Sequence, residues 1–152
     1  MRLIEYLKIC GFNYTEKDDG GLIVHSHLTL SLAKAIEISG SLIVEGGLFA
    51  AASNFKGFQL PASLSVKFLW LLDPENIENI VCKSGCGSRN RTIFAARING
   101  EIQIGAGCFL GNLDAFCAAV DQFYEGDAAQ KYKDDALYCV NALVEKLEPE
   151  IL

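Results

Sequence analysis

Residues 28–48, LTLSLAKAIEISGSLIVEGGL, decide how the first half of the chain folds. Leu28-Thr29-Leu30-Ser31-Leu32 alternates apolar and polar side chains, and Ala35-Ile36-Glu37-Ile38 and Leu42-Ile43-Val44-Glu45 repeat the pattern. That is the periodicity of half-buried strands. Ser39-Gly40 and Gly46-Gly47 lie between the runs as turn signals. Ile36, Leu42 and Leu48 recur every six residues, Leu30 extends the row backwards, and Leu60, Val66 and Leu72 resume the phase after it is lost at Asn54. A row of inward aliphatics with small corner residues suits a β-solenoid, whose coils repeat an inward apolar position. It equally suits a small twisted antiparallel sheet, a meander with two-residue turns at Ser39-Gly40 and Glu45-Gly46. The alternation is common to both.

Working outward, residues 22–72 form a β-repeat region preceded by a polar turn at 15–21. Residues 2–10 read as a short helix with Leu3, Ile4, Leu7 and Cys10 on one face and Gly11 as its C-terminal glycine, so residues 1–14 form a capping helix. Downstream, Asp73-Pro74 opens a turn, Ile80-Val81-Cys82 is a short strand and Lys83 to Asn90 an exposed loop. Thr92–Ile98 and Glu101–Ile104 flank Asn99-Gly100, the preferred pair for a type I′ hairpin. Asn112 caps a helix whose stripe is Leu113, Phe116, Cys117, Val120, Phe123 and Tyr124. Residues 91–124 are thus a hairpin plus a helix. A last helix spans 127–148, buried along Tyr132, Ala136, Cys139, Val140, Leu143, Val144 and Leu147. The reading is a single α+β domain: a short N-terminal helix, a small β-solenoid or twisted antiparallel sheet, and two C-terminal helices.

The 152 residues are 51% apolar and 21% charged, a globular composition. No apolar run reaches the ~20 residues that span a bilayer. Glu5 and Lys8 interrupt the first apolar stretch, so it does not read as a signal peptide, and the expected compartment is the cytoplasm. The net charge of −6 is uneven: residues 1–108 hold ten acids and ten bases, whereas 109–152 hold nine acids and three bases. An acidic end opposes direct binding of nucleic acid and suits a basic protein surface. Asp121, Glu125, Asp127, Asp134 and Asp135 are its candidate contacts. Arg89 and Arg91, with Lys83, form the one basic patch, and Trp70 becomes an interface anchor if its strand face is exposed.

Chemistry-bearing residues are sparse. Cys82 and Cys86 are one close cysteine pair, and a structural zinc site needs a second pair. Cys108, His25 or His27 could complete it only through tertiary folding. His25 and His27 would share a strand face and could hold a metal or act as a base, although no carboxylate lies near them in sequence. Cys108, after Gly105-Ala106-Gly107, would need a histidine, a cation or a helix N-terminus to become a nucleophile. The six cysteines read mostly as reduced and buried. No metal and no cofactor is expected.

Residues 91–124 resemble a module of small phage and prophage proteins, in which a strand–turn–strand precedes a Gly-Cys-Phe step and a capped helix of the form Leu-Asp-x-Phe. Here these are Gly107-Cys108-Phe109 and Leu113-Asp114-Ala115-Phe116, with Asn112 in place of a threonine cap. Upstream, Leu60-Pro61-Ala62-Ser63-Leu64-Ser65-Val66 is similar to the leucine-rich, solenoid-like repeats of such proteins. The resemblance implies a non-enzymatic, protein-binding accessory protein of a phage or mobile element, acting in the bacterial host. It would occupy a surface of a defence system such as CRISPR–Cas. No catalytic residue is carried over. Self-association through sheet edges or Trp70, and an enzyme using Cys108 or the histidines, are the alternatives.

Overall fold

The computed structural model describes residues 1–31, 36–38, 40–51 and 58–147. The chain divides into two compact units, Met1–Glu78 with Arg97–Gly100, and Asn79–Ala96 with Glu101–Leu152. Helices and strands are mixed, so the class is α+β. No helix among the described residues is long and apolar enough to cross a membrane.

The first unit opens with α1 (Leu3–Cys10), ended by Gly11 in the left-handed conformation at φ 76°. Leu3 and Leu7 are buried, whereas Cys10, expected on the same face, is exposed. Two sheets follow. In the first, β1 (Tyr14–Glu16) pairs antiparallel with β2 (Leu22–Val24), which continues in parallel to β4 (Leu42–Val44) and β6 (Leu64–Ser65). In the second, β3 (Leu28–Ser31), β5 (Gly47–Ala51) and β7 (Phe68–Leu72) are all parallel.

The register explains the six-residue spacing of leucines. Leu22 pairs with Leu42 and Leu42 with Leu64, while Leu28 pairs with Leu48 and Leu48 with Leu69. The stacking repeat is therefore 20 to 22 residues, and six residues is only the step from one sheet to the other, Leu22 to Leu28 and Leu42 to Leu48. These are open sheets and not a solenoid. Nor is the region a meander: Glu45-Gly46 is a corner between two sheets, with Glu45 N–H bonded to Val24 O and Gly46 O accepting from Lys67 N–H. Ser39 of the other expected turn lies outside the described residues. Around Ile36–Ile38, expected as strand, only a bridge from Glu37 to Arg2 forms. The inward leucines and Val24, Val44 and Val66 are buried; Leu72, expected to continue their row, is 60% exposed. Past β6 and β7, a single 3₁₀ turn covers Pro74–Asn76, opened by the proline as expected.

In the second unit, β8 (Val81–Cys86), β9 (Arg91–Ile98), β10 (Glu101–Ala106) and β11 (Phe109–Gly111) form an antiparallel sheet in the order β11-β10-β9-β8. The strand at Ile80–Cys82 runs on through Cys86, so Lys83–Cys86 is not loop, and the turn is confined to Gly87–Asn90. Asn99 and Gly100 both take positive φ, 56° and 79°, as the type I′ turn demands. That tip belongs with the first unit. Helices α2 (Leu113–Phe123) and α3 (Gly126–Leu147) cover Cys86, Ile93, Ala95, Ile104, Phe116, Tyr132, Cys139 and Leu143, all buried. Gly105 makes room in the sheet: a Cβ there would lie 2.1 Å from Phe94 Cζ.

Candidate functional site

Asn112 Oδ1 accepts the Ala115 N–H at 2.9 Å and fixes where α2 begins. From that start, helical periodicity buries Phe116 and Val120. The stripe does not reach Phe123, which is 80% exposed, because Tyr124 is already extended. Phe123 therefore stands in solvent between Asp121, Glu125 and Asp127, all exposed. The sequence placed it in the core; the Glu125-Gly126 break just after it was the available signal that the stripe was ending.

The acidic candidates fall into two groups. Asp135 is not a surface residue: it is 4% exposed and bonded by Lys83 Nζ at 2.7 Å and Lys131 Nζ at 2.9 Å. The sequence placed it among the surface acids; its position three residues after Tyr132 and next to Ala136, both of the buried stripe, was the available signal, and nothing local pointed to its two lysines. Burial pushes its carboxyl up, but the hydrogen bonds from Lys83 and Lys131 outweigh this and hold it below the ordinary range. Asp121 pairs with Lys133, and Asp134 accepts from Gln130 Nε2. Lys146 donates to Ile80 O. The three lysines of residues 109–152 are thus all engaged, while Glu125 and Asp127 face no cation among the described residues.

Arg89 stays in the exposed turn expected of it, whereas Arg91 opens β9. Together with Ser88 and Tyr124 they edge a cleft of about 430 Å³ whose walls are apolar and aromatic, among them Phe109, Phe116 and Val120. Tyr124 Oη accepts the Ser88 N–H at 3.3 Å and shares a hydrogen bond with Ser88 Oγ at 3.1 Å. These bonds, helped by the Arg91 and Arg89 charges, lower its phenol below the ordinary range.

In the first unit, Phe49 and Trp70 face each other across the β5–β7 register and stack at 4.3 Å and 10°. Phe68 stacks on Trp70 at 5.5 Å. Phe49 and Phe68 are exposed and Trp70 half-buried, so this strand face is an aromatic ridge.

The histidines part company at the corner after β2. His27 Nδ1 accepts the Gly47 N–H at 2.7 Å. His25 sits between Glu45 Oε1, 2.8 Å from Nδ1, and Thr15 Oγ1, 2.6 Å from Nε2. Glu45 is the carboxylate that local sequence lacked, and its signal was the repeat: it follows His25 by the same 20 residues that separate Val24 from Val44. A hydroxyl–imidazole–carboxylate relay can activate a hydroxyl. Such relays act where water is excluded, and all three residues here are exposed.

The thiols are more varied than expected. Cys86 and Cys139 are buried, Cys82 and Cys117 half-buried, and Cys10 and Cys108 exposed; none is in a disulfide. Burial pushes the Cys86 thiol up to about 11 and Cys139 to about 12, which makes them packing groups rather than nucleophiles. His25 and His27 belong to the first unit and Cys82 and Cys86 to the second. No group of three His, Cys, Asp or Glu among the described residues is placed to hold a metal ion. In comparisons with known proteins, no family model matches the chain, and no curated protein and no solved structure is significantly similar to it.

Proposed function

We propose that this chain is a non-enzymatic binding protein that docks on a basic surface of a protein partner through the junction of α2 and α3. Phe123 carries the reading. Phe123, 80% exposed, lines the cleft with Phe109, Phe116 and Val120 and so extends an apolar patch to the surface, and the exposed Asp121, Glu125 and Asp127 lie within four residues of it in sequence. An aromatic anchor supplies affinity, and the charge around it steers encounter and selects a basic partner. Because the nearby lysines are engaged internally, Glu125 and Asp127 keep their charge for that partner. The resemblance of residues 91–124 to phage and prophage proteins supports the setting: an accessory protein of a phage or mobile element. Its target would be a basic surface of a host nucleic-acid-binding complex, such as a CRISPR–Cas assembly.

The test is capture from bacterial lysate with the tagged full chain at moderate salt. One stoichiometric partner is expected, lost on Phe123→Ala and weakened when Asp121, Glu125, Asp127 and Asp134 are made amides together. A partner retained equally by both variants overturns the reading.

The aromatic ridge favours a second reading, self-association through the β3-β5-β7 face, since Phe49 and Phe68 are both exposed there. Light scattering separates the two. A mass that rises with concentration and is reset by Phe49→Ser with Phe68→Ser supports self-association, and a constant monomer mass removes it.

A further inference from the structure

We infer that the cleft edged by Arg89 and Arg91 is a binding site for a small aromatic carboxylate, a planar apolar body carrying one anionic group. Its volume, about 430 Å³, lies in the range of small-molecule sites. Its chemistry is divided. One end is cationic and hydrogen-bonding, from Arg89, Arg91, Ser88 and Tyr124; the rest is apolar wall.

Two glycines keep the cationic end open. At Gly107, held at φ 58°, a Cβ would lie 2.9 Å from Arg91 Nη1, so the missing side chain lets the guanidinium rest against this turn without shifting. At Gly87, held at φ 71°, a Cβ would crowd both Tyr124 Oη and the Tyr132 ring, at 3.1 and 3.0 Å.

Neither arginine is paired with a carboxylate among the described residues, although residues 109–152 of the same unit carry nine acids. Two cations kept apart from a surplus of local acids are left for an anion from outside. A guanidinium fork fits a carboxylate through two parallel hydrogen bonds. The aromatic rings take the body of the ligand edge-on or stacked. The upper limit on size is set by the cleft, which excludes a folded partner and admits one or two fused rings.

The probes are 2-naphthoate and its neutral amide, titrated into the full chain by calorimetry and by ligand-observed NMR. One saturable site is expected, with the acid binding about tenfold more tightly than the amide. Arg91→Gln should remove that preference while leaving the amide where it was. Arg89→Gln, at an exposed turn position that does not bear on folding, should reduce it in the same direction. Ala119→Trp, which fills the apolar wall, should abolish both. Equal affinity for acid and amide, an unaltered preference in both arginine variants, or no saturable binding of naphthoate overturns the inference.

Discussion

In the first unit Leu42 lies in register with Leu22 on one side and Leu64 on the other, and Leu48 with Leu28 and Leu69. Each core position is a copy of its neighbours, so the interior is built by translation. In the second unit Ile104, Phe116, Tyr132, Cys139 and Leu143 each occur once, in three different elements, and a carboxylate is buried beside them. The aromatic contacts follow suit. Phe49 and Trp70 stack nearly parallel because parallel strands bring like positions side by side, whereas Phe116 and Tyr132 meet edge to face at 89° where two helices pack. A translated core asks only that one residue type recur at one spacing; a core assembled from unlike pieces must match shape at every contact.

Leu48→Ala tests the translated core most severely. Leu48 is 1% exposed and sits in the middle strand of its sheet, so truncation leaves a cavity that neither Leu28 nor Leu69 can close. A loss of about 3 kcal/mol is expected from urea titration. A loss below about 1 kcal/mol would mean that the row is loosely packed and the comparison is wrong.

Asp135→Asn tests the other core. The amide is isosteric but uncharged, so two lysines lose their anion and the loss should be about 2 kcal/mol, moderated by the exposure of both lysines. The pH dependence identifies the cause. The Asp135 carboxyl is held low, so its contribution is complete above the ordinary aspartate value of about 3.9 and fades as pH falls through the lower folded value. Lys83 is held high by its bond to Asp135, so its contribution persists below the ordinary lysine value of about 10.4 and fades above it. The gap between wild type and variant should therefore be widest between these limits and close on both sides. A gap independent of pH would mean that packing alone, not charge, is lost.

Local rules made much of this legible. Asn99-Gly100 demanded a hairpin, Asn112 a cap and Gly11 a helix end, and each stands where its φ or its hydrogen bond requires it. What sequence left unread was long-range. Six-residue spacing was visible, but the 20-residue register that converts it into two parallel sheets depends on which strands pair, and parallel pairing leaves no local signature. For the same reason Glu45 went unseen as the partner of His25. At the α2–α3 junction, helical spacing over-extended the core by one turn and hid Phe123. Arg89 and Arg91 were legible as a basic pair, but Tyr124 and Ser88, which complete their cleft, lie 36 residues apart.

Asn99 sharpens the contrast from the side of the hairpin tip. Its Oδ1 accepts the Val66 N–H at 2.9 Å, its Nδ2 donates to Val66 O at 3.1 Å, and its own N–H donates to Leu64 O. A single side chain thus pairs with the backbone beyond β6 as a further strand would. Asn99→Gly keeps the positive φ and loses only the side-chain bonds, an expected loss of about 1 kcal/mol. Asn99→Ala adds backbone strain and should lose about 2 kcal/mol. Equal losses would assign the whole effect to the amide.

The smallest expected effect separates the two ways in which helices begin here. Helix α2 is started by a side chain: Asn112 satisfies an N–H that the helix itself cannot. Helix α1 has Arg2 at the same position with no side-chain cap, and its first turn is tied by backbone instead, Leu3 N–H to Glu37 O at 2.9 Å and Glu37 N–H to Met1 O at 2.8 Å. Asn112→Ala should therefore destabilise by about 1 kcal/mol, while Arg2→Ala, which removes only an exposed contact to Glu5, should stay within about 0.5 kcal/mol of wild type. Hydrogen exchange at Ala115 gives the sharper reading, because its N–H is the one the cap protects. Faster exchange there in Asn112→Ala, with Leu3 unchanged in Arg2→Ala, keeps the distinction between a locally written start and one written by a distant backbone bridge. Equal sensitivity at both starts would erase it.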